Sequence, residues 1–147
     1  GLLLHDPEEE HDCFSDNTHN SHYYDEVGMI ALYNGSYTRV DGTKVEGPSF
    51  ADYAKAKAPE AAARVDEAMK TALDKLTAIK TTADSGKMAY DQMIGPDNPE
   101  GNKLVDDAVT ALVGQARAVE ALVAALGLTI TVEGSDSLDN PAAVGAN

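Results

Sequence analysis

Three side chains early in the chain have the types and spacing to hold a cation. His19, His22 and Glu26 are separated by three and four residues, which places them on one face if this segment is helical. Two imidazoles and a carboxylate so placed suit a divalent transition metal, iron or zinc. The remaining positions would fall to water, to Asp16 or to a partner chain. A merely polar helix face would carry the same residues. A second pair, His5 and Glu8, converges less well. Pro7 lies between them, and a helix starting there leaves His5 outside. The stretch Cys13-Phe14-Ser15-Asp16-Asn17-Thr18-His19 packs thiol, hydroxyl, carboxylate and imidazole together, which invites a nucleophile reading. Catalytic partners, however, normally meet from separate elements, and Ser15-Asp16-Asn17-Thr18 also reads as helix N-cap chemistry. The acids around Cys13 should hold its thiol protonated. The run Glu8-Glu9-Glu10 with Asp12 lacks the alternating oxygens and glycine of an EF-hand loop and supports only weak cation attraction.

The elements that must position these groups are legible from spacing. A helix is predicted from the N-cap cluster to about Tyr33, with Tyr23, Val27, Ile30 and Asn34 at helical steps and Asn34-Gly35 as its stop. Asp41-Gly42 between Thr38-Arg39-Val40 and Lys44-Val45 predicts a small hairpin or a long loop. Ser49 and Asp52 stand in capping-box spacing before a short helix, and Pro59-Glu60 opens the next. That helix carries an apolar stripe, Val65, Met69, Ala72, Leu76 and Ile79. The last, from about Glu100 to Leu126, carries Val105, Val109, Leu112, Ala116, Val119, Val123 and Leu126. The two stripes are expected to pack antiparallel. A further short helix is expected around Met88–Met93. The fold class predicted is all-α, an up-down bundle of three long helices plus short ones. An acidic, His-rich arm should occupy residues 1–14, the bundle 15–128 and an extended tail 129–147.

Of 147 residues, 23 are Ala, and with two Phe, six Tyr and no Trp the composition favours closely packed helices. Twenty-five acids against eleven bases give a formal charge of −14, which excludes general nucleic-acid binding and disfavours an anionic membrane surface. The charge is uneven. No Lys or Arg precedes Arg39, while the first 26 residues hold eight acids and all four histidines. No apolar stretch reads as a membrane span, and one cysteine allows no internal disulfide. Beginning at Gly1, the chain reads as a processed or truncated product.

The order of motifs adds a resemblance. The block from Glu8 through Cys13-Phe14-Ser15-Asp16-Asn17-Thr18-His19 resembles one found in imelysin-like, iron-regulated proteins of bacterial envelopes. Leu32-Tyr33-Asn34-Gly35-Ser36-Tyr37, Gly47-Pro48-Ser49-Phe50, Tyr90-Asp91-Gln92-Met93-Ile94 and Ala124-Ala125-Leu126-Gly127-Leu128 follow in the order of that family's C-terminal half. The resemblance spans roughly residues 8–128. It implies a helical protein of two bundle-like halves with a site between them, to which Ser15, Asp16, Asn17, Thr18 and His19 would contribute. It also implies a peptidase label and a part in iron uptake. The family's Gly-x-His-x-x-Glu signature belongs to its N-terminal half, and here Leu3 stands where the Gly would precede His5 and Glu8.

The leading expectation is therefore a periplasmic or outer-membrane-associated protein of iron or metal acquisition that binds rather than catalyses. Its partners would be an N-terminal half or a second chain, and a metal ion. The alternatives are a metallopeptidase completed by a missing half, and a structural or adhesive envelope module.

Overall fold

A computed structural model describes residues 6–129 of the chain. After a single 3-10 turn at Pro7–Glu9 come α1 (Thr18–Asn34), β1 (Ser36–Thr38), β2 (Lys44–Glu46), α2 (Phe50–Lys57), α3 (Pro59–Asp84), α4 (Tyr90–Ile94) and α5 (Pro99–Ala125). The starts follow local chemistry. Ser49 Oγ accepts the Asp52 N–H at 2.9 Å, Asn98 Oδ1 accepts the Gly101 N–H at 3.0 Å, and Pro59 and Pro99 open α3 and α5 where no donor is missed. α1 ends at Gly35, whose φ of 59° is left-handed. A Cβ there would lie 2.9 Å from the Gly47 and Pro48 carbonyl oxygens. The strands pair antiparallel, Ser36 opposite Glu46 and Tyr37 opposite Val45, so the hairpin alternative holds.

The three long helices alternate in direction. Val65 and Met69 near the start of α3 share a cluster with Leu122 near the end of α5, while Leu76 and Ile79 pack with Val105 and Ala108. Tyr33, at the end of α1, joins the first cluster, and His19 at its start reaches Asp84 at the end of α3. This is the all-α up-down bundle that the spacing predicts. α1 and α5 both lie along α3.

Two expectations about α5 are corrected. Val109, placed in the stripe, is 45% exposed, whereas Gln115 is buried on the same line of the helix as Ala108 and Leu122. The buried line is rotated about one residue from the one predicted, because Ala and Val surround this helix and apolar periodicity fixes its inward face poorly. α5 is also long and apolar enough, by length and composition alone, to cross a bilayer. In the fold one face of it packs along α3. The tail expected over 129–147 lies, beyond Thr129, outside the described residues, as does His5.

Candidate functional site

Residues 6–14, the described part of the segment read as an arm, are fastened to the start of α1. The Asp12 N–H donates to Thr18 Oγ1 at 2.9 Å, and the Thr18 hydroxyl donates to Glu10 Oε2 at 3.1 Å. Thr18 and the Glu10 carboxylate are both buried. Ser21 Oγ donates to Asp12 Oδ2, so the turn and the first turn of α1 are joined twice. Asn17 occupies the N-cap position without the capping bond expected of it. Its Oδ1 accepts instead from the Asn20 side chain at 2.8 Å. Asp16 adopts a left-handed φ of 50°, which Asp tolerates better than most residues.

This clamp brings His11 against α1. The rings of His11 and His22 lie 5.8 Å apart, and His22 meets Tyr90 of α4 edge to face at 5.8 Å. Burial holds the His22 imidazole below its usual range; a charge on His11 pushes it the same way, against Asp25 and Asp12. Tyr90, buried near the Glu10 charge, is pushed up to about 12. Burial also raises Glu10, only partly offset by the Thr18 hydroxyl. Beside this group an open polar recess of about 580 Å³ is lined by His11, Asn17, Asn20, Ser21, Tyr24 and Asp25.

His19, His22 and Glu26 do share the inward face of α1, but each meets a different element. His19 Nε2 lies 3.2 Å from Asp84 Oδ1. The same Nε2 lies 3.1 Å from Asn20 Nδ2, while Nδ1 is buried with no partner among the described residues. Glu26 is taken by the core, its Oε2 accepting from Gln115 Nε2 at 3.0 Å. At 1.5 Å of rise per residue, His19 and Glu26 stand about 10 Å apart along the axis, too far for one ion. Among the described residues no three of His, Cys, Asp and Glu converge on a metal position. A resident metal does not fit the described residues alone, and no catalytic step follows from one.

The nucleophile reading gains nothing from the geometry either. Cys13 Sγ contacts Glu8 Oε2 at 3.9 Å, and its thiol is raised by desolvation and by the charges of Glu8 and Glu10. Ser15 Oγ donates to the Asp12 carbonyl at 3.2 Å and, among the described residues, makes no bond to an imidazole. Of the block Ser15 to His19, Thr18 and His19 face inward while Ser15, Asp16 and Asn17 remain exposed.

His11, Tyr90 and Asp84 were not among the site residues read from the sequence, and Glu10 was read only as part of a weakly cation-attracting run. Asp84 and Tyr90 come from distant elements, and the six-residue reach from Asp12 to Thr18 follows no helical period. The signal for His11 was present in the crowding of histidines ahead of α1.

Bundle, hairpin and clamped acid-and-imidazole block together define a helical protein with a polar surface site at one end of α1. The imelysin peptidase family model matches residues 1–119, most of the chain, and the protein belongs to that family. No curated protein matches it.

Proposed function

We propose that this chain is a binding protein of iron or metal acquisition at the bacterial cell envelope, in the periplasm or at the outer membrane. The cation is cargo. The block ahead of α1 forms one wall of a site that an N-terminal half of the same protein or a second chain completes. One observation carries the reading. Two imidazoles, His11 and His22, stand side by side with Asp12 and Asp25 acting on His22, yet no third ligand converges among the described residues. Such a half-site favours a divalent first-row ion and releases it readily. Binding rather than catalysis is supported by the hydroxyl and thiol bonds, which run to Asp12 and Glu8 instead of to a histidine.

Calorimetric titration of iron, zinc and copper into the 147-residue chain and into a His11→Ala/His22→Ala variant tests this. Micromolar or weaker binding is expected in the parent and loss in the variant. Equal affinity in both would move the cation elsewhere. Hydrolysis of a peptide by the metal-loaded chain would replace the binding reading with the peptidase one.

A further inference from the structure

The middle of the bundle holds a polar pair that neither the packing nor the surface site explains. Glu26 is 1% exposed and Gln115 is 3% exposed. On α5 Gln115 separates Leu112, packed against one apolar cluster, from Ala118 and Val119, packed against the other. On α3 the same level is marked by Ala72, fully buried between Met69 and Leu76. The pair thus crosses the gap between the two halves of the core. It also joins helices that otherwise hold together through α3: α1 and α5 meet where Gln115 Nε2 donates to Glu26 Oε2 at 3.0 Å and contacts Met29 Sδ at 3.7 Å.

The bonding is incomplete in a specific way. Glu26 Oε1 and Gln115 Oε1 are both buried with no partner. Each member of a hydrogen-bonded pair thus keeps one buried acceptor oxygen that receives no hydrogen. A proton on the carboxyl supplies one, since a protonated acid carries one O–H donor and the carboxamide oxygen accepts. A bare carboxylate would leave both unpaired oxygens unsatisfied inside the bundle, at the cost of desolvating them.

We propose that Glu26 is a neutral carboxylic acid in the folded chain and forms with the Gln115 carboxamide a two-point pair that fastens α1 to α5, a latch that deprotonation releases. The surroundings agree. Burial pushes the Glu26 carboxyl above its ordinary range, and the Gln115 N–H opposes this only in part. Among the described residues no charged group of α1, α3 or α5 acts on it. His22, one turn earlier on α1, answers to His11, Asp25 and Asp12. Tyr33 answers to Asp66 and Lys55, and the Lys75–Asp107 pair between α3 and α5 is half-exposed. Because α1 also carries Ser21, His22 and Asp25, the latch sets how firmly the surface site is held.

The sign follows from linkage. The folded carboxyl takes its proton more tightly than the unfolded one. The latch's stabilisation is therefore complete below the ordinary glutamate value of about 4.3 and is lost as pH rises through the folded value. Carboxyl-carbon NMR of the intact chain, with Glu26→Gln used for assignment, should show Glu26 titrating above every exposed glutamate. Each unit of that difference lowers the parent's folding constant tenfold at high pH relative to Glu26→Gln. Glu10 contributes equally to both proteins, so their ratio isolates Glu26. Hydrogen exchange in the parent, corrected for intrinsic rates, should show protection falling in residues 18–34 more than in 59–84 above the Glu26 midpoint. A Glu26 that titrates with the surface glutamates, or a pH-independent ratio of the two folding constants, would overturn the proposal. Protection lost equally in α1 and α3 would overturn the latch. Should Glu26→Gln fail to fold, sequential assignment of the parent replaces it, and the NMR and exchange readouts stand without the variant.

Discussion

His22 sits between two rings, His11 on one side and Tyr90 on the other, and its imidazole ionises less readily than a free one. The folded form therefore binds its proton less tightly than the unfolded chain does. Its contribution to stability is present above about pH 6.5 and is lost as pH falls from there through the depressed folded value. Proton NMR should place the His22 midpoint below that of an unstructured peptide containing the same residues. From about pH 7 to pH 5 the urea midpoint of the parent should move lower relative to that of His22→Gln; a difference that does not change with pH would mean that His22 is not the group responsible. The Cys13 thiol, raised by desolvation and by Glu8 and Glu10, should alkylate more slowly at neutral pH than a free cysteine. Rapid labelling at mildly acidic pH, which requires a thiolate, would refute the environment described for it.

At the scale of elements, the junction of α4 and α5 is set by one missing methyl. A Cβ on Gly101 would lie 2.5 Å from Met93 Cα and 2.8 Å from Met93 O, backbone atoms that cannot turn away. Gly101→Ala gains helix propensity of about 1 kcal/mol and loses more to overpacking, so a net loss of about 2 kcal/mol is expected. Gly114 in the same helix has nothing within 4 Å of its would-be Cβ, and Gly114→Ala should stabilise by up to about 1 kcal/mol. Thermal melts of the two variants test the pair; a common sign would show that close approach at Gly101 does not set the packing. Here too the reach of the sequence is visible. Proline, capping serine and Asn-Gly mark helix ends by local rules, and α1, α2, α3 and α5 start or stop close to where those residues predict. The shared face of His19, His22 and Glu26 was equally readable, because it depends on spacing alone. What spacing cannot carry is the neighbour across that face. Asp84, Tyr90 and Gln115 come from three elements far along the chain, and each draws one of the three side chains to a different level of the bundle. Gln115 also hides from periodicity because a buried amide reads as a surface residue.

At the scale of the whole molecule, charge decides what one measurement can separate. A formal charge of −14 cannot be offset by surface pairs such as Lys70–Asp74 and Lys103–Asp107, each contributing about 0–1 kcal/mol. Self-repulsion among the surplus acids is the larger influence, and it acts over distances that salt screens well. Raising ionic strength from about 0.01 M to about 0.15 M shortens the Debye length from about 30 Å to about 8 Å. Stability should rise by about 1 kcal/mol, a melting shift of about 2–4 °C for a domain this size. The same field concentrates cations near His11 and His22, so identical screening should weaken metal binding. Stability and cation affinity are therefore expected to move in opposite directions along one salt series, measured by calorimetric melting and by metal titration in the same buffers. A melting temperature that falls with salt would put the ion pairs, not the surplus acids, in control of the fold. An affinity indifferent to salt would mean that the cation is held by the imidazoles alone, without help from the acids around them.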